Sequence, residues 1–141
     1  MADWRPILNR RSDGFPRIMG ILNITPDSFY ADSRVDSVDD AISRAKQMVE
    51  DGADWLDIGG ESTRPGAEPV SIDEEMNRVL PVIKAVRTAL PNVGISIDTR
   101  RASVAEAVLN LGADMVNDVS SLSDPNMADV IIENKCPVCI M

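Results

Sequence analysis

The segment Asp57–Ala67 reads DIGGESTRPGA and gathers three glycines, a proline, a glutamate, two hydroxyls and an arginine next to an apolar run. Gly59, Gly60 and Gly66 permit close backbone approach or positive φ, and Pro65 stiffens the loop. Thr63 and Arg64 would offer a hydroxyl and a fork of donors to an anion. That is phosphate chemistry, although neither G-x-x-x-x-G-K-[ST] nor G-x-G-x-x-G occurs in the chain. Three other apolar runs also end in polar residues. RIMGIL is followed by Asn23, Thr25, Asp27 and Ser28, GISI by Asp98-Thr99-Arg100, and MV by Asn117-Asp118. A carboxylate and an amide at neighbouring strand tips can pair with the amino-imine edge of a heterocycle, since one accepts two N–H groups and the other both donates and accepts. Asp98 and Asn117 fit that task, with capping of the following helices as the structural alternative. Asn23 could supply an oxygen ligand to Mg²⁺, which takes few protein ligands beside phosphates and water. Asp57 and Glu61 admit two readings, buried and paired within the fold or catalytic.

Such residues act together only if the chain brings them to one rim. Arg17–Leu22, Trp55–Ile58, Gly94–Ile97, Met115–Val116 and Val138–Met141 read as short buried strands. Between them, helical spacing covers Val38–Asp51, Ile72–Leu90, Val104–Leu111 and Met127–Asn134. Ser37 and Gly52 mark the ends of the first of these helices. Ser71-Ile72-Asp73-Glu74 fits a capping box for the second, and Pro81 is expected to kink or shorten it. Alternation of this kind predicts a parallel sheet with right-handed crossovers, whose ligands bind where the carboxyl-end loops meet. Gly52-Ala53-Asp54 and Gly112-Ala113-Asp114 precede two of the strands, as a repeated βα unit would require or as a common αβ turn would also give. One domain is expected, with residues 1–16 as an amino-terminal extension or short hairpin and 17–141 as the α/β body.

Composition removes several function classes. Hydrophobic residues make up 44% of the 141 and aromatics only 4%, so the core must be aliphatic. A formal net charge of −9 gives no basic field for nucleic acid or an anionic membrane, and neither partner is expected. No apolar run is long enough for a membrane span or a signal h-region, and the expected compartment is the cytoplasm. Cys136 and Cys139 form a C-x-x-C within an apolar run rather than at a helix start, and the chain has no histidine. Both are expected as reduced thiols packed on the core, not as a zinc or redox pair.

At this point the residues resemble a known family. MGILNITPDSF (Met19–Phe29) and DIGGESTRPGA look like the first- and second-strand signatures of dihydropteroate synthase, and Ile95–Ser121 is similar to its third- and fourth-strand region. The resemblance implies a (β/α)₈ TIM barrel that joins p-aminobenzoate to 6-hydroxymethyl-7,8-dihydropterin diphosphate, making dihydropteroate and diphosphate in folate synthesis. It implies that Asp98 and Asn117 hold the pterin and that Asn23 serves Mg²⁺ and the diphosphate. Thr63 and Arg64 then lie near the diphosphate and the p-aminobenzoate pocket, and Asp27, Ser28 and Phe29 belong to the first loop, which closes over the second substrate. Arg64 and Asp27 are the residues expected to act in catalysis.

A TIM barrel takes about 250 residues. This chain is expected to form about four βα units and a fifth strand, a partial barrel supplying the amino-terminal half of the site. A missing carboxyl-terminal half or a homodimer would complete it. The alternative is a non-catalytic pterin- or phosphate-binding module that dimerises.

Overall fold

The computed structural model describes residues 8–24, 34–62 and 65–141, the side chains of 34–37 excepted. Within these, strand β1 (Met19–Asn23) is followed by helix α1 (Arg34–Glu50), β2 (Trp55–Gly59), α2 (Ile72–Ala89) and β3 (Gly94–Asp98). Next come α3 (Ala102–Asn110), β4 (Met115–Asp118), α4 (Met127–Asn134) and β5 (Val138–Ile140). Every neighbouring pair is parallel, and the strands lie in chain order, β1 to β5. Successive helices pack on one another, α1 on α2, α2 on α3 and α3 on α4. A doubly wound sheet would reverse its strand order at a switch point. The unbroken order with adjoining helices is that of a partial (β/α)₈ barrel.

Strand alternation divides the sheet into two unlike faces. Leu22, Ile58, Ile97 and Val116 share one register row and are 2% exposed or less. They pack with Ala41 and Ala45 of α1, Val79, Val82, Ile83 and Val86 of α2, Val104 and Val108 of α3, and Met127 of α4. Each such aliphatic side chain contributes about 1.5–3 kcal/mol on burial. The alternate positions turn the other way and carry Asn23, Asp57, Ser96, Asp98 and Asn117, with Met19 and Ile21 exposed beside them.

The repeated Gly-Ala-Asp is one device used twice. Gly52 and Gly112 adopt φ of 109° and 100°, where other residues are strained, and the next amides, of Ala53 and Ala113, bond back to Met48 and Val108. Each aspartate then clasps the strand beside its own. Asp54 donates its amide to the Ile18 carbonyl at 2.8 Å and accepts the Ile18 amide on Oδ2 at 2.9 Å. Asp114 does the same to Ile95, at 2.7 and 2.8 Å. Arg17 and Arg87 ion-pair with these two carboxylates at 3.2 and 2.6 Å. Arg87 also donates to the carbonyls of Pro91, Val93 and Gly112, so one guanidinium joins the end of α2 to two αβ turns.

Several sequence expectations change in detail. Helix α1 starts at Arg34, leaving Ser37 inside it. Helix α2 runs through Pro81 without shortening: Pro81 and Asn77, whose carbonyl loses its usual amide partner, are both accessible to water, which can replace that bond. Ser71 caps α2 by accepting the Glu74 amide, but the Glu74 carboxylate turns to Arg78 at 2.9 Å rather than back to Ser71. Both cysteines are free; Cys136 is buried, whereas Cys139 is exposed on β5 rather than packed on the core. Before β1, the Arg11 carbonyl accepts from Gly14 and its amide donates to Phe15, closing a tight turn. No helix among the described residues is long and apolar enough to cross a membrane.

Asp114→Ala removes an acceptor from the Ile95 amide and from Arg87, and is expected to lower the free energy of unfolding by about 2–3 kcal/mol. Asp39→Ala, at an exposed helical position, is expected to change it by less than about 0.5 kcal/mol in the same urea titration.

Candidate functional site

The carboxyl ends of the strands carry the polar residues that the sequence singled out. Register aligns Asn23, Gly59, Asp98 and Asn117 in a single row across β1, β2, β3 and β4. Gly59 leaves space in that row: a Cβ there would stand 3.3 Å from the Asp98 carboxylate. Above the row, a pocket of about 170 Å³ opens among the loops after β2, β3 and β4, lined by Glu61, Ser62, Glu75, Asp98, Thr99, Arg100 and Val119.

Asp98 is the unpaired carboxylate of this site, making no side-chain hydrogen bond among the described residues. Burial, then the charges of Asp57, Glu75, Asp118 and Glu61, lift its pKa from 3.8 to about 7. Each of those four neighbours has polar partners. Asp57 accepts from Asn117 Nδ2 at 2.9 Å. Glu61 pairs with Arg100 at 3.1 Å, and Glu75 with Arg101 at 2.5 Å and the Thr99 hydroxyl at 2.6 Å. Asp118 accepts from the Ser120 amide and hydroxyl and from the Leu122 amide.

Asn117 is oriented by Asp57. A carboxylate only accepts, so the amide nitrogen must face it and Oδ1 must point elsewhere. That oxygen is buried and has no partner among the described residues, and the same holds for Asp57 Oδ1 and Ser96 Oγ on the same face. Neither Asp98 nor Asn117 caps a helix. The first amide of α3, from Ala102, is held by Asp124 Oδ2 at 2.9 Å, and Asp124 Oδ1 accepts the amide of Asn126 at the start of α4. Asp98 and Asn117 are therefore left facing the pocket side of the sheet, an acceptor on each of two adjacent strands. Asn23 ends β1 exposed, with no hydrogen bond from its amide among the described residues. Thr63, Arg64, Asp27, Ser28 and Phe29 lie outside the described residues.

Sequence reasoning left Asp57 and Glu61 open between pairing and catalysis; Asp57 is buried and bonded to Asn117, while Glu61 is half-buried against two arginines. It missed Glu75 and Arg101. The signal existed for Glu75, which falls at helical spacing with Val79, Val82, Ile83 and Val86 and is wholly buried. Alternation likewise marks Ser96, between Ile95 and Ile97, as facing the same side as Asp98.

Residues 19–141 match the family model for pterin binding enzymes. The chain belongs to this family. Among pterin binding enzymes, the dihydropteroate synthase of Bacillus subtilis is 52% identical over 125 residues, covering 88% of this chain and 44% of its own length. The crystal structure of a Clostridium difficile dihydropteroate synthase in the presence of pteroic acid superposes with a TM-score of 0.84 at 54% identity, over 89% of this chain and 48% of that one. A Xanthomonas albilineans dihydropteroate synthase with 4-aminobenzoic acid gives 0.82 at 42% identity, over 93% and 46%. The chain thus spans somewhat under half the length of these members of the pterin-binding family.

The raised pKa of Asp98 makes a stability prediction with a definite sign. Between 3.8 and about 7 the folded chain holds a proton that the unfolded chain has released, so stability falls as pH rises through that window. Asp98→Asn is always neutral and is expected to melt at a higher temperature than the parent at about pH 8, the difference vanishing near pH 4. A difference independent of pH would show that the carboxylate carries no such penalty.

Proposed function

We propose that this chain provides the pterin and diphosphate part of a dihydropteroate synthase site. The observation that carries the reading is the pair Asp98 and Asn117, two acceptors in register on adjacent strands, with Asp98 lining the pocket and Asn117 Oδ1 buried beside it. Neighbouring strands stand about 4.8 Å apart, a span that suits a ring edge presenting an amino group and a ring N–H. Asp57 supports the assignment by holding Asn117 with its oxygen free. Relatives at 52% and 50% identity that carry the dihydropteroate synthase name, and another crystallised with 4-aminobenzoic acid, support p-aminobenzoate as second substrate.

In this reading Thr63 and Arg64 receive the diphosphate, while Asp27, Ser28 and Phe29 border the arylamine. The bond from the pterin methylene carbon to the diphosphate oxygen breaks, that carbon then bonds to the arylamine nitrogen, and the nitrogen loses a proton. Arg64 contributes by stabilising charge on the departing oxygen, and Asp27 by positioning the amine. The residues present suit Mg²⁺ in one respect: Asn23 offers an exposed amide oxygen at the end of β1, unpaired among the described residues. Among the described residues no three His, Cys, Asp or Glu side chains form a cage, so the remaining ligands would be diphosphate and water. When bound there, Mg²⁺ supplies charge neutralisation to the leaving group.

Exposed Met19 and Ile21 on the uncovered sheet face favour a further covering element, the rest of the barrel or a second copy. The compartment we assign is the cytoplasm, where Cys136 and Cys139 remain free thiols.

Calorimetric titration with 6-hydroxymethyl-7,8-dihydropterin diphosphate is expected to show one site, weakened about tenfold or more by Asp98→Ala and by Asn117→Ala, each of which removes a hydrogen bond to the ring. Equal affinity in Asp98→Ala and parent would refute the pterin assignment. Dihydropteroate formation after addition of the carboxyl-terminal half of the Bacillus subtilis relative would extend it to catalysis.

A further inference from the structure

Behind the pocket, Arg101 stands where the β3–α3 loop meets the segment between β2 and α2. Its Nη1 lies 2.5 Å from Glu75 Oε2 and 3.5 Å from Glu61 Oε2, and its Nη2 donates to the Val70 carbonyl. In sequence, Glu61 and Val70 flank Thr63 and Arg64, one on each side. A single guanidinium therefore touches both the entry and the exit of the loop that the proposed chemistry uses. The guanidinium is itself anchored, because Glu75 is wholly buried in the first turn of α2 and also accepts from the Thr99 hydroxyl. Thr99 Oγ1 in turn accepts the Arg101 amide at 3.2 Å. From α2, Arg78 adds a second hold by donating to the Gly60 carbonyl at 2.9 Å.

We propose that Arg101 is a positioning residue that joins Glu61 and Val70, the described residues on either side of the β2–α2 loop, and so fixes the Glu61 side of the pocket for the anionic part of a ligand; this rests on the reading of the site given above. A planar fork is needed for the task. Lysine could meet Glu75, but one ammonium cannot also span to Glu61 and Val70. Fixing Glu61 and Val70 in the free chain lowers the ordering entropy that anion binding would otherwise have to remove there.

Two variants separate positioning from folding. Arg101→Lys keeps the charge, and Glu75→Gln with Arg101→Met removes both charges so that no buried carboxylate is stranded. Backbone order parameters are expected to fall from about 0.85 to below about 0.6 at Glu61, Ser62 and Val70 in both variants, while Ile95–Ile97 stay unchanged. In binding, affinity for the pterin diphosphate is expected to drop about tenfold or more, and that for 6-hydroxymethylpterin, which lacks the anion, to change less than about threefold. Unchanged order at Glu61 and Val70, or an equal loss for both ligands, would overturn the proposal. If the parent binds neither pterin, the reading of the site fails, and the order parameters still decide the role of Arg101.

Discussion

Parallel register is the constraint on which the site depends. With Gly59 opposite Asp98 and Asp98 opposite Asn117, Asn23, Asp98 and Asn117 face the side away from the helices, while Leu22, Ile58, Ile97 and Val116 face toward them. A slip of one residue in any strand would exchange the two sets, putting Asp98 under α2 and Ile97 into the pocket. The apolar row of Leu22, Ile58, Ile97 and Val116 therefore enforces the polar row as strongly as it builds the core. The two Gly-Ala-Asp clasps add a local lock, since Asp54 and Asp114 fix Ile18 and Ile95 from the αβ turns.

On that frame the chain concentrates negative charge and leaves one member of the group uncompensated. Asp57, Glu61, Glu75 and Asp118 each have an amide, hydroxyl or arginine partner, and Asp98 has none among the described residues. The fold thus holds a carboxyl group at an energetic disadvantage at the place where a ligand can supply the missing donors. This is the exchange of stability for function expected where structure breaks its own local rules. The arginines divide the remaining work. Arg87 stabilises the turn end of the sheet, whereas Arg100 and Arg101 serve the loops on the opposite rim.

Much of this was legible in the sequence for physical reasons. Short apolar runs locate the five strands and 3.6-residue spacing the four helices among the described residues, because strands of a covered parallel sheet are buried and each helix buries one face. Asp98 and Asn117 were legible because each is a polar residue closing an apolar strand, whereas the Asp124 contacts that remove helix capping as their role are seen only in the fold. The Glu75–Arg101 pairing was not legible: it joins residues 26 apart through a fold-level contact, and Glu75 sits in sequence among exposed acids of a helix start. Pro81 misled for the opposite reason. Its local cost to a helix is real, but exposure lets water take the freed carbonyl while the buried side of α2 stays packed.

The central claim is that Asp98 receives N–H donors from a pterin. Calorimetry at pH 7 in buffers of different ionisation enthalpy measures the protons exchanged on binding. With the Asp98 pKa at about 7 in the free chain, donors that favour the carboxylate should release about half a proton per ligand, and Asp98→Asn should abolish the release. Binding with no proton exchange, or the same release from Asp98→Asn, would contradict the account.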